Sequence, residues 1–205
     1  MSLRAHTIRR EISNTMTAFE FVFVIYALIL GLSMVELLAG LGRTLEYKFA
    51  RNAQHKAFSI GWLTPLFGVF VLLDLISFWV FAWRVRDLIS VSTAMVTGVT
   101  AFAACYYLAA RLVFPSEPEG FTDLDDHFYR VRRVVLGILI VLVFAQWIYL
   151  HSQVDLWTLI TPLSLTTTAL LIGLMAAAMI TRSDWVNITL LAVLNLRYLV
   201  LYLFF

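Results

Sequence analysis

Six apolar stretches constrain this chain more than any other feature, because each is about long enough to cross a lipid bilayer as a helix. A hydrocarbon core of about 30 Å requires about 20 residues at about 1.5 Å per residue. The stretches lie at residues 19–41, 60–82, 90–113, 134–151, 157–181 and 186–205. We therefore predict an all-α fold, a polytopic transmembrane bundle of six helices, with residues 1–205 in a single transmembrane domain.

The composition excludes several other classes of protein. Apolar residues make up 61% of the chain and charged residues 14%, which is far from the average of soluble domains. The net charge of +2 gives no basic excess for a nucleic-acid partner, and the single cysteine excludes a disulfide framework. The expected partner is the lipid bilayer rather than a nucleic acid, and we expect no cofactor.

The distribution of basic residues predicts an orientation. Outside the membrane, eight Lys and Arg lie on the side of the first, third and fifth connections, against five on the other side. Because cytoplasmic loops carry the excess of Lys and Arg, we expect both termini outside, in a multi-pass protein of the cell inner (plasma) membrane.

Residues 115–133 form the one sizeable segment between the predicted spans, and we expect them at the membrane interface. Pro115 and Pro118 stop the third helix, since proline lacks an amide hydrogen and clashes with the preceding turn. Thr122 followed by Asp125 resembles an acidic capping box. This motif predicts that the fourth helix begins in the interface and runs on into the bilayer.

A shared tripeptide points to an internal repeat. Thr-Pro-Leu occurs at residues 64–66, near the start of the second stretch, and again at 161–163, near the start of the fifth. Two consecutive sets of three helices must have opposite topology, which is the inverted-repeat arrangement of many transporters. One interpretation is therefore a 3+3 inverted repeat; the other is chance, since tripeptides recur in so apolar a chain.

Four ionisable side chains fall within the apolar stretches: Glu36, Asp74, Arg111 and Arg197. Each costs about 2.5–3.5 kcal/mol at the bilayer centre, so each needs a partner or a function. Glu36 and Arg111 lie near helix ends on the same side of the membrane, although Arg43 competes for Glu36. Asp74 and Arg197 share the central region. We predict two intramembrane charged pairs along these lines, which either fix the helix packing or serve transport.

Hydroxyl side chains are concentrated in the fifth stretch. Thr161, Ser164 and Thr168 share one helix face at spacings of three and four residues. Together with Gln146 and Asn195 they are candidates for lining a polar pathway. The alternative is that the hydroxyls bond back to their own helix and relieve a kink at its proline.

The sequence contains no catalytic constellation. All four histidines lie at or beyond the edges of the stretches, without the spacing of metal ligands. No nucleophile elbow or phosphate-binding loop is present. The acidic run between residues 117 and 126 lacks the glycine and the spacing of a calcium loop. We therefore expect no enzyme, no catalytic residues and no metal site.

Several segments resemble a family of small bacterial integral membrane proteins with six helices and no assigned function. The resemblance is carried by residues 29–32 and 38–43, by Tyr106-Tyr107-Leu108 and Phe114-Pro115, and by residues 123–133 with His127, Tyr129, Arg132 and Arg133. It implies a helical bundle of the inner membrane and nothing about activity.

Two hypotheses about function follow. The first is a small channel or transporter for an ion or small solute, in which Asp74 and Arg197 bias the pathway. The Glu36–Arg111 pair would then act as a gate or a helix clamp. We expect a homo-oligomer in either case, because so small a bundle has little interior of its own.

The alternative is a non-catalytic membrane subunit or scaffold. It would dock a protein partner through residues 43–56 and 115–133. Three arginines at the basic end of the second segment would contact that partner or the lipid headgroups: Arg130, Arg132 and Arg133.

Overall fold

The computed structural model describes residues 18–53, 58–84, 86, 92–153 and 161–204. It confirms the predicted all-α fold: in this part of the chain, six helices are long and apolar enough to cross a membrane. They are α1 (Ala18–Ala53), α2 (Leu63–Arg84), α3 (Thr93–Val113), α4 (Asp125–Gln153), α5 (Pro162–Ile180) and α6 (Asp184–Phe204). The helix starts predicted at residues 90 and 157, and the end at 205, lie outside the described residues.

Helix α1 extends well past the end of its apolar stretch. Its 36 residues correspond to about 54 Å, so it projects beyond the bilayer rather than ending at residue 41 as predicted. A loss of hydrophobicity does not end a helix, and this segment contains no proline. One face also stays packed, because Thr44 is buried and donates to the carbonyl oxygen of Gly40 at 2.9 Å.

Hydrogen bonds between the connections define one end of the bundle. The amide of Ser59 donates to the Thr122 carbonyl at 3.0 Å, and the amide of Leu124 donates to the Ser59 carbonyl at 3.1 Å. The hydroxyl of Tyr129, near the start of α4, donates to the Arg182 carbonyl at 3.3 Å. The α1–α2, α3–α4 and α5–α6 connections therefore meet. We call this end the basic face and the other end the opposite face.

Asp125, the first residue of α4, caps a different helix from the one predicted. Its Oδ1 accepts the first two amide hydrogens of α2, at 3.1 and 3.3 Å. Gly61 makes room for this contact, because a Cβ there would lie 1.8 Å from Oδ2 of Asp125. The predicted Thr122–Asp125 capping box is wrong. Instead, the amide of Asp125 donates a hydrogen bond to Oδ1 of Asp123, at 2.9 Å.

The half of the bundle nearer the basic face is closely packed around Phe114. A Cβ on Gly40 of α1 would lie 2.6 Å from the Cβ of Phe114, and one on Gly68 of α2 would lie 2.9 Å from its ring. Close beside them, the buried rings of Phe67 and Phe128 meet edge to face, with centroids 5.3 Å apart. Only glycine lets α1 and α2 approach this ring so closely.

The two halves of the chain do not pack as a repeat. Helix α1 packs extensively against α3, whereas the corresponding pair, α4 and α6, forms no comparable interface; α6 packs instead against α2. The shared tripeptides also differ in role. Thr161 caps α5, whereas the hydroxyl of Thr64 donates to the Leu124 carbonyl at 2.9 Å. The packing thus does not reflect the predicted inverted repeat.

Candidate functional site

Glu36 and Arg111 form the predicted ion pair. Nη1 of Arg111 donates to Oε1 of Glu36, and Nη2 of Arg43 donates to the same oxygen at 3.2 Å. Arg43 therefore shares the carboxylate rather than displacing Arg111. The side chains of Glu36 and Arg111 are 18% and 40% exposed, so the pair lies at the edge of the bundle. The geometry fits a clamp between α1 and α3.

The predicted Asp74–Arg197 pair is wrong. Asp74 is 1% exposed at the midpoint of α2, and both of its carboxylate oxygens accept hydrogen bonds from tyrosine hydroxyls. Tyr106 of α3 donates to Oδ2, and Tyr198 of α6 donates to Oδ1. Because two hydroxyls satisfy the carboxylate, Asp74 is held inside the bundle without a cation in contact.

Arg197 is left without the predicted partner. Its Nε and Nη1 atoms are buried and have no hydrogen-bond partner. Its guanidinium carbon lies 4.9 Å from the centroid of the Tyr198 ring, a distance at which a cation interacts favourably with the ring face. Leaving buried donors unsatisfied costs about 1–3 kcal/mol, and more for charged groups. Such a cost is typical of a functional site.

Asp74 and Arg197 line the same cavity. The cavity has a volume of about 370 Å³ and is bounded by α2, α4, α5 and α6. It extends from the helix ends at the opposite face, marked by Arg84, Leu150 and Ser164, to Asp74 at mid-membrane. Its uncharged polar lining consists of Ser77, Gln146, Ser164, Thr167, Thr168, Tyr198 and Tyr202.

The structure brings together only part of the predicted pathway lining. Gln146, Ser164 and Thr168 line the cavity, as expected for a polar pathway. Asn195 does not: its Nδ2 donates to the carbonyls of Leu66 and Leu191, at 3.0 and 2.9 Å, and so ties α6 to α2. Several lining hydroxyls also bond to their own helix, so the two interpretations of these residues are compatible.

Thr161 has a structural role at the start of α5. Its hydroxyl accepts from the Ser164 amide, while the Ser164 hydroxyl accepts from the Thr161 amide, each at 3.1 Å. This capping box places Pro162 at the first helical position, where a missing amide hydrogen costs nothing. The expected proline kink inside the helix is therefore wrong.

The sequence reasoning missed the tyrosines that bind Asp74. The prediction considered only a charged partner for Asp74, although a phenol can also satisfy a carboxylate in an apolar interior. One signal was available: Tyr198 and Tyr202 are four residues apart and so share one face of α6. Tyr202 donates to the Leu73 carbonyl at 2.6 Å, next to Asp74.

The arginines near the start of α4 lie at the basic face. Arg132 is buried, whereas Arg130 and Arg133 are exposed. The segment before them is built into the bundle, since Pro115 and Pro118 are both buried.

Among the described residues, no group of three or more His, Cys, Asp or Glu is placed to hold a metal ion. Comparison with protein-family models, curated proteins and solved structures yields no match. The resemblance to a family of small bacterial membrane proteins therefore stays a prediction.

Proposed function

We propose that this integral membrane protein is a channel or transporter for a small solute that carries negative charge. The observation that carries the proposal is the cavity between α2, α4, α5 and α6, in whose largely apolar wall two donors of Arg197 have no hydrogen-bond partner. A pair of charges that served only to hold helices together would be expected to close on itself. Here α2 and α6 pack against each other, yet Asp74 binds two tyrosine hydroxyls and Arg197 keeps two buried donors without a partner on the cavity wall.

The size of the cavity suits a small solute. A water molecule occupies about 30 Å³ of liquid and typical ligand pockets begin at about 300 Å³. The cavity, at about 370 Å³, can therefore hold several waters or one small organic ion. It ends at the tyrosine-bound carboxylate of Asp74, in the middle of α2.

The charges on the cavity wall favour an anion. Arg84 lies at its outer end and Arg197 lies deeper, so both cationic groups face a solute that enters from the opposite face. Among the described residues that line the cavity, the acidic group is Asp74, and both of its oxygens are occupied by hydroxyl donors. The side-chain amide of Gln146, on the same wall, can donate further hydrogen bonds to an anion that Arg197 attracts.

Complete passage requires a rearrangement. Towards the basic face, the core beyond Asp74 is filled by fully buried side chains such as Phe67, Phe70 and Leu139. Close packing of Phe114 against Gly40 and Gly68 also fills this half of the bundle. A transporter that alternates between two states, rather than an open pore, fits this one-sided cavity.

The docking hypothesis draws less support from the geometry. Residues 43–53 continue α1, and the connection before α4 pairs its backbone with Ser59. Buried Leu124 anchors the same connection to the bundle. Part of the 115–133 segment is therefore used within the chain, whereas several side chains between residues 45 and 50 are exposed and residues 54–56 lie outside the described residues.

Flux into proteoliposomes tests the proposal. The probes are chloride, nitrate and methanesulfonate, with potassium and glycerol as cation and neutral solute. We expect anion flux above that of empty liposomes, reduced about tenfold in Arg197→Gln, because a charge-assisted hydrogen bond contributes about 1.5–3 kcal/mol. Lys48→Gln, a charge removed from the projecting end of α1, is the matched control and should keep the flux of the unmodified protein.

Two results would overturn the proposal. One is anion flux no faster than in empty liposomes for all three probes. The other is equal anion flux in Arg197→Gln and in Lys48→Gln.

A further inference from the structure

A second cavity, at the basic face, is lined by four arginines and a tyrosine. Its volume is about 480 Å³, and its lining is Tyr129, Arg130, Arg132, Arg133 and Arg182. None of these arginines forms an ion pair with a residue that the structure describes. The acidic side chain in contact with this lining, that of Asp184, accepts a hydrogen bond from the Tyr129 hydroxyl.

Arg132 is fixed at the base of this cavity. It is 3% exposed, and its Nη1 donates to the carbonyls of Ala178, at 2.9 Å, and Thr181. These carbonyls belong to the C-terminal end of α5, where the helix dipole attracts a cation. The Arg132 guanidinium also lies 4.5 Å from the centroid of the Tyr129 ring. Its Nε is buried and has no hydrogen-bond partner.

The neighbouring arginines surround this fixed group. Nε of Arg133 donates to the Met179 carbonyl at 3.3 Å, and the guanidinium of Arg130 lies 4.9 Å from the centroid of the Phe121 ring. These contacts leave most of the donors of the two exposed guanidinium groups free for an oxyanion. Like charges held this closely repel each other, so an anion between them would lower the free energy of the cluster.

The depth of the cluster coincides with the phosphates of a bilayer. Helix α5 has 19 residues, about 28 Å, which is just the thickness of the hydrocarbon core. Arg132 binds the end of α5, so its charge lies where the core meets the headgroups. Val134 and Ile180, next to the cluster in sequence, are 54% and 75% exposed and offer apolar surface to acyl chains.

We propose that this cavity binds the phosphate of an anionic phospholipid. Guanidinium groups bind phosphate oxygens by bidentate, charge-assisted hydrogen bonds, and basic pockets between transmembrane helices recognise acidic headgroups. A free phosphate ion offers the same oxygens. The boundary position and the exposed apolar side chains favour the lipid as the source. This site lies at the other end of the bundle from the transport cavity, so it does not depend on the proposed transport.

The test measures lipid retention by the full chain in phosphatidylcholine nanodiscs titrated with phosphatidylglycerol, followed by native mass spectrometry. We expect preferential retention of phosphatidylglycerol. The double variant Arg133→Gln/Arg182→Gln should weaken this retention about tenfold, since each basic side chain contributes to binding an anionic lipid. Arg132 is kept, because its hydrogen bonds hold α4 against α5. The control, Lys48→Gln/Arg86→Gln, removes the same charge elsewhere.

Equal retention of phosphatidylglycerol in the double variant and the control would overturn the site. A parallel arm adds inorganic phosphate to discs of pure phosphatidylcholine. Binding of that phosphate at the arginine cluster, without any preference for phosphatidylglycerol, would overturn the assignment to lipid. Loss of retention in the double variant alone, with no binding of inorganic phosphate, supports it.

Discussion

The two halves of the bundle each contain a carboxylate and a guanidinium within the membrane, but they stabilise these charges in different ways. Near the basic face, a partly exposed acid and base meet directly: Glu36 binds Arg111 and Arg43, and glycines close the packing around Phe114. In the other half, Asp74 is bound by tyrosines at mid-membrane, while Arg197 lines the same cavity with two buried donors that have no partner. Both halves carry a carboxylate and a guanidinium, so charge alone does not set the outcome. Packing decides whether an intramembrane charge becomes a clamp or a site.

The largest effect on stability is expected at Gly40 of α1, and Gly31 of the same helix serves as the control. Gly40→Ala should destabilise the protein by about 1–3 kcal/mol, because its Cβ would lie 2.6 Å from that of Phe114. Gly31→Ala is the matched control: a Cβ there meets nothing within 4 Å, and alanine favours the helix. The measurement is reversible unfolding in mixed detergent micelles. Equal stability of the two variants would show that the half at the basic face is not closely packed.

An intermediate effect of opposite sign is expected at Arg197. Arg197→Met should stabilise the protein by about 1 kcal/mol, because it removes buried donors without partners and retains apolar volume. The same unfolding assay applies, and Leu199→Met on the exposed side of α6 is the control. Destabilisation by Arg197→Met would mean that the guanidinium serves the fold, as its counterpart does in the other half.

The smallest effect is expected at Arg111. Arg111→Met should cost less than about 1 kcal/mol, since the side chain is partly exposed and Arg43 still binds Glu36. Adding Arg43→Met in a double-mutant cycle should cost more than the sum of the single variants, because Glu36 then has no cation. Strict additivity would indicate that the two arginines do not share the carboxylate.

Much of the fold was predictable from the sequence, and the reasons are physical. The thickness of the bilayer fixes a minimum helix length, so six apolar stretches imply six spans. Helix ends were harder, because α1 continues past residue 41 on packing that hydropathy does not report. Likewise Asp125 has the residue type of a cap, but the helix that it caps is set by tertiary structure.

The site was predictable only in part. Topology placed Glu36 and Arg111 at one depth, and a pair of complementary charges at equal depth forms readily. Topology also placed Asp74 and Arg197 in one region. It could not show that the hydroxyls of Tyr106 and Tyr198 reach the carboxylate first, because that depends on how the helices are rotated.

In the state that the structure shows, solute and water can reach Ser77, one turn from Asp74, from the opposite face. The most direct measurement is labelling of Ser77→Cys by a small, membrane-impermeant anionic thiosulfonate, in a Cys105→Ala background. Ala109→Cys, fully buried near the other end of α3, is the matched control. We predict that Ser77→Cys reacts faster from the opposite face than from the basic face, and faster with the anionic reagent than with its cationic analogue, while Ala109→Cys stays unlabelled. An unreactive Ser77→Cys, or one that reacts faster with the cationic reagent, would contradict the proposed transport of an anion.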